Sequence, residues 1–166
     1  MNNSTDAIAP IVAGRDEGEA LWAFGGLALI KASGEATGGD VAVTEQLAPM
    51  GAGSPLHVHH REHEWFYVIE GELTFWVGGE TTVAPAGTFV FGPKDIPHTF
   101  MVSSEQARFL LVTEPAGFDR FMRAAGEPAP LPEIPPAPTE PPDVAALTAL
   151  AAEHGIEITG PPGIPA

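Results

Sequence analysis

The run Leu56-His57-Val58-His59-His60-Arg61-Glu62-His63-Glu64-Trp65 holds four of the chain's six histidines. A Gly/Pro-rich stretch, Pro49-Met50-Gly51-Ala52-Gly53-Ser54-Pro55, delivers the chain to it, and Trp65-Phe66-Tyr67-Val68-Ile69 carries it on. A β-strand returns its side chains to one face at every second residue. His57 and His59 therefore share a face, and His60 takes the other. Glu64, after a short interruption, is placed to turn inward beside them. Two neutral imidazoles and a carboxylate suit a divalent first-row metal. Such a set wants one more donor, and the histidines outside the run are His98 and His154.

Short strands surround this run. Leu21-Trp22-Ala23-Phe24, Leu27-Ala28-Leu29-Ile30 and Val41-Ala42-Val43-Thr44 are separated by Gly25-Gly26 and Gly38-Gly39-Asp40. Beyond it, the aromatic and β-branched Trp65 to Ile69 fits a pleated sheet. Leu73 to Val77, Thr81 to Val83, Phe89 to Phe91, His98 to Val102 and Arg108 to Thr113 continue the series. Turns rich in Gly and Pro punctuate it. This pattern predicts an all-β antiparallel sandwich or barrel over 20–115, preceded by an N-terminal arm, 1–19.

From 116 to 166 the character changes. Phe118 to Ala125 reads as a helix closed by Gly126. Residues 127–142 hold eight of the chain's eighteen prolines and read as an extended linker. Asp143 caps a second helix, Val144 to His154, ended by Gly155, and Ile156-Glu157-Ile158 adds a short strand. His154 there reads as a helix-capping residue. Three placements are open to this tail: around the barrel, over its mouth, or on a second subunit.

Composition removes several classes of function. The 166 residues are enough to bury a core without cross-links. With no cysteine, disulfides, zinc–thiolate sites, iron–sulfur clusters and cysteine nucleophiles are excluded. Twenty-two acidic against seven basic residues give a formal charge of −15, which repels phosphate backbones and anionic lipid. No nucleic-acid or membrane partner is expected. The start has no basic segment followed by an apolar run, and no stretch is long and apolar enough to span a bilayer. A soluble, cytoplasmic protein is the expectation.

The motif spacings resemble those of the cupin superfamily. Its first motif is Gly, five residues, His-X-His, three or four residues, Glu, six residues, Gly; here Gly51, His57, His59, Glu64 and Gly71 fit it. The second motif is Gly, five residues, Pro-X-Gly, two residues, His, three residues, Asn. Gly87, Pro93 and His98 fit it, while Asp95 stands for its second Gly and Val102 for its Asn. Asp tolerates unusual turn angles, and neither change removes a metal donor. The resemblance covers roughly residues 40–113 and implies a jelly-roll-like β-barrel around one divalent metal. By carry-over the ligands are His57, His59, Glu64 and His98. The metal is one of nickel, iron, cobalt, manganese, copper or zinc. Glu62 has the wrong spacing to replace Glu64, and His63 reads as solvent-exposed or as support for the ligands.

Parity from Glu64 and His98 turns Phe66, Val68, Phe100 and Val102 inward, and Phe75, Phe89 and Phe91 are expected to join them as pocket lining. The nearest basic residues, Lys94 and Arg108, lie outside the motif's inward positions. No cationic clamp is evident, which favours a neutral, aromatic or polyketide-like substrate. The motif stretches look most like small bacterial cupins of the quercetin 2,3-dioxygenase type. That resemblance implies a dioxygenase acting on a flavonol-like or other enolisable aromatic substrate, with dioxygen as co-substrate and Glu64 as general base. The alternatives are a metal-dependent isomerase, lyase or cyclase of secondary metabolism, and a ligand-binding cupin without turnover. Cupins often pair, so a homodimer is expected.

Overall fold

The computed structural model describes residues 8–166; expectations for 1–7 lie outside the described residues. Twelve strands and two helices follow one another: β1 (Glu19–Ala23), β2 (Gly26–Ala32), β3 (Ala42–Pro49), β4 (Pro55–His59), β5 (His63–Glu70), β6 (Glu72–Val77), β7 (Glu80–Pro85), β8 (Phe89–Gly92), β9 (His98–Val102), β10 (Gln106–Glu114), α1 (Phe118–Ala125), β11 (Glu127–Pro128), α2 (Val144–Glu153) and β12 (Ile156–Pro162). They form two antiparallel sheets. One runs β11-β1-β2-β3-β10-β5-β8 and the other β12-β4-β9-β6-β7. Their hydrogen bonding does not close into a single barrel, so the jelly-roll expectation holds as two facing sheets. No helix among the described residues is long and apolar enough to cross a membrane.

Alternation decides which residues meet between the sheets. β5 turns Glu64, Phe66 and Val68 inward and leaves Tyr67 exposed. β10 buries Ala107, Phe109, Leu111 and Thr113, and β6 buries Leu73 and Phe75. Phe66 meets Phe75 edge-on at 5.0 Å, and Phe100 meets Phe109 at 5.3 Å. Each pair joins one sheet to the other. A fully buried aromatic ring contributes about 1.5–3 kcal/mol by leaving water, and the edge-to-face contact adds to it.

Two turns show why particular glycines stand where they do. Gly71, at φ 77, joins β5 to β6, and a Cβ there would lie 2.2 Å from the Gln106 carbonyl oxygen. Only glycine fits that approach. Asp95 adopts φ 64, the left-handed angle expected of it in place of the second motif's glycine.

The flanking segments are tied to the sheets. Lys31 donates to the carbonyls of Gly14, Arg15 and Glu17 at 2.6–2.8 Å, which fixes the described part of the N-terminal arm. Arg108 is buried on the outer face, paired with Glu45 and with Asp16 at 3.3 Å. In the linker, the Trp22 indole donates to the Glu133 carbonyl at 2.9 Å. β12 then pairs with β4, setting Ile156 opposite His59 and Ile158 opposite His57. Phe121, Ala151 and Ile156 form an apolar cluster with Leu147 and Ile158 against it. In this chain α2 and β12 pack beside the histidine-bearing β4.

Candidate metal centre

Three strands deliver the expected donors to one point. β4 carries His57 and His59, β5 carries Glu64, and β9 sets His98 directly opposite His57. All four side chains are buried, and their donor atoms lie within 4.8 Å of one another. Glu64 Oε2 is 3.9 Å from His57 Nε2 and 2.5 Å from His98 Nε2; Glu64 Oε1 is 3.4 Å from His59 Nε2. His57, His59, Glu64 and His98 would together hold a first-row cation.

The outer nitrogens orient the rings. His57 Nδ1 donates to the Pro55 carbonyl at 2.8 Å, and His98 Nδ1 donates to the Ile96 carbonyl at 2.9 Å. His59 Nδ1 donates to Glu62 Oε2 at 3.3 Å. With Nδ1 carrying the proton, the neutral tautomer leaves an Nε2 lone pair facing the centre. His59 Nε2 is buried and has no hydrogen-bond partner. A buried polar atom without a partner is costly, and a cation at this point would satisfy it. The donor set therefore fits a divalent metal and could hold one.

The electrostatics describe the same centre with protons in place of a cation. Burial, followed by the charge of His98, pushes His57 down to about 4. Burial raises Glu64, but the charges of the surrounding histidines and the His98 hydrogen bond outweigh it and hold the carboxyl at about 2. Burial lowers His98, but the hydrogen bond to Glu64 and its charge outweigh it, so the net shift is upward. The Glu64–His98 contact thus favours a charged imidazole beside a charged carboxylate.

The remaining polar residues of the run separate by function. Glu62 is buried and orients His59, a role the motif spacing does not reveal. His60 is exposed and bridges Asp95 at 2.8 Å and Glu157 at 2.9 Å. Nδ1 of His63 accepts from the Lys94 backbone N–H at 3.1 Å. His154 caps α2, with its ring 5.6 Å from that of Phe121.

A small apolar cavity of about 80 Å³ reaches His57, His59 and Glu64. The pocket expected from parity is redistributed. Phe100 lines this cavity, whereas Phe66, Val68, Phe75 and Val102 belong to the packed core. Phe89 and Phe91 are corrections: both are exposed on the outer face, packed on Trp65 at 5.9 and 4.5 Å. The reason is register. β8 pairs with β5 so that Val90 lies opposite inward Phe66, which places both phenylalanines on the other face. The missing walls come from Phe118 and Phe121 of α1, Leu147 and Ala151 of α2, and Ile156 and Ile158 of β12. Neither Lys94 nor Arg108 lines the cavity.

Residues 43–113 match the family model described as "Cupin domain". Quercetin 2,3-dioxygenase of Bacillus subtilis (strain 168) is 29% identical over 123 residues, which cover 74% of this chain and 36% of that protein. The chain thus spans about a third of that relative's length. An RmlC-like cupin from Shewanella frigidimarina NCIMB 400 superposes with a TM-score of 0.59 at 20% identity, covering 68% of this chain and 96% of that one. KdgF from Halomonas sp. superposes with a TM-score of 0.53 at 20% identity, covering 58% and 84%. With its two facing sheets and its cluster of three histidines and a glutamate, the chain carries a match to the cupin domain over residues 43–113 and resembles quercetin 2,3-dioxygenase in sequence.

Proposed function

We propose that this cupin is a metal-dependent dioxygenase acting on a flavonol-like or other enolisable, neutral aromatic substrate, with His57, His59, Glu64 and His98 as the metal ligands. The observation that carries the reading is the cavity: its walls are apolar and aromatic, its inner end reaches three of the four donors, and no lysine or arginine lines it. An anionic substrate would find no lysine or arginine along the walls, whereas a planar aromatic ring finds Phe100, Phe118 and Phe121. The resemblance to the Bacillus subtilis enzyme supports the same substrate class.

When bound, the metal supplies positive charge that stabilises a deprotonated substrate hydroxyl. Glu64, ionised across the neutral range, accepts the hydroxyl proton on a carboxylate oxygen. The apolar walls hold the ring and exclude water, so the oxyanion's charge acts in a low-dielectric surrounding. Nδ1 hydrogen bonds keep the three imidazoles in place while the proton moves.

Oxygen uptake by metal-loaded protein supplied with a flavonol tests the proposal. Consumption should match flavonol loss, and Glu64→Gln should lose activity per bound metal ion by about 100-fold or more. Full oxygen uptake by a metal-loaded Glu64→Gln variant would remove Glu64 from the role of base. Flavonol turnover in the absence of oxygen would replace the dioxygenase with a proton-shifting enzyme.

A further inference from the structure

Phe24 occupies a backbone position that suits an aromatic residue poorly. It and Gly25 form the two-residue turn between β1 and β2, at φ 53 and φ 76, with Ala23 opposite Gly26. Two positive φ angles define the mirror-image turn that matches strand twist, and its first place favours Asn, Asp or Gly. A phenylalanine there holds strain, and strain of this kind collects where a side chain has a task.

The surroundings indicate the task. Phe24 is 41% exposed and is the one exposed residue among those lining the cavity; the others are buried or half-buried. It therefore stands at the mouth. Its ring stacks on Phe121 at 5.7 Å, Phe121 packs on Phe118 at 5.6 Å, and Phe118 packs on His59 at 5.5 Å. This row of rings leads from solvent to the candidate metal centre. Phe24 also borders a groove formed with Pro135, Pro136 and Pro138 of the linker.

We propose that Phe24 is the gate residue of the cavity, its ring setting the size of molecule admitted to the centre and guiding planar aromatic ligands onto Phe121. The proposal rests on the reading of the cavity as a substrate site, but not on the reaction performed there. Displacing the ring requires rotation about its own side chain or movement of a two-residue turn, with no disruption of either sheet. The strained turn keeps phenylalanine because glycine would leave the mouth open.

Cobalt(II)-loaded full-length protein, mixed rapidly with imidazole or phenylimidazole and followed by its visible absorption, provides the test. The wild type should admit phenylimidazole about tenfold more slowly than imidazole, and Phe24→Gly should bring the two rates within about twofold. Phe24→Asn, which also suits the turn, should behave likewise. An unchanged ratio in both variants would overturn the gate. Carbethoxylation of His57, His59 and His98 in metal-free protein, located by peptide mass, is a metal-independent readout. Phe24→Gly should speed it by about tenfold, and an unchanged rate there also overturns the gate. A protein that shows the size ratio but consumes no oxygen with flavonols would fail the dioxygenase reading alone.

Discussion

His59 differs from the other two histidines in what holds it. Backbone carbonyls orient His57 and His98, whereas a buried carboxylate, Glu62, orients His59. A carboxylate partner raises the basicity of the ring it holds, and losing such a partner weakens metal binding by about 10–100-fold. Glu62→Gln should therefore sit near the low end of that range and Glu62→Ala near the high end, read by competition with a chromogenic chelator. Unchanged affinity in both would remove Glu62 from the centre. A second prediction concerns the proton of His98. Its affinity is raised above the ordinary imidazole value of 6.5, while that of His57 is lowered to about 4. At pH 6.5 a binding cation must therefore displace a proton from His98 and none from His57. Metal affinity should fall as pH falls through the raised value of His98. Calorimetry in two buffers of different ionisation heat should report proton release on metal binding at that pH, diminishing as pH rises. The ligand candidates were legible because strand parity and motif spacing act over a few residues. Glu62 was not, because its contact depends on how the loop between β4 and β5 folds back.

At the scale of elements, β12 and α2 are the pieces whose position matters most to the cavity. Asp143 caps α2 by accepting from the Ala146 N–H at 2.9 Å. Asp143→Ala should cost about 1 kcal/mol locally. Amide exchange should accelerate in α2 and leave β3 and β10 unchanged. β12 has its own tie: His60 bonds Asp95 and Glu157, and these two contacts raise its proton affinity above the ordinary 6.5. Glu157→Gln should lower the titration midpoint of His60 seen by NMR; an unchanged midpoint would show that the tie is absent in solution. Both helices were legible from Gly126, Asp143 and Gly155, and α2 spans Val144–Glu153 with His154 as its cap. The face of β8 was not. Phe89 and Phe91 read as inward candidates, but facing depends on pairing with β5, and a single strand carries no record of its partner's register.

The whole molecule is held by rings that cross between the sheets. Phe109 is fully buried and contacts Phe66 and Phe100, so Phe109→Ala should cost about 3–5 kcal/mol, read by denaturant unfolding. The layered β architecture was legible in the rhythm of short apolar runs and Gly/Pro turns. The course of the tail was not: Leu147, Ala151 and Ile156 announce a covered apolar surface without saying which surface they cover. Likewise Arg108 lies near the motif in sequence yet is held on the outer face by Glu45 and Asp16 and does not line the cavity. β4, β5 and β9 bring His57, His59, Glu64 and His98 together as one candidate metal site. Elemental analysis of the full-length protein beside His57→Ala and His98→Ala, after equal exposure to divalent metals and desalting, tests it most directly. The wild type should hold about one ion per chain and both variants a small fraction of that. A wild type that takes up no metal, or variants that retain as much, would contradict it.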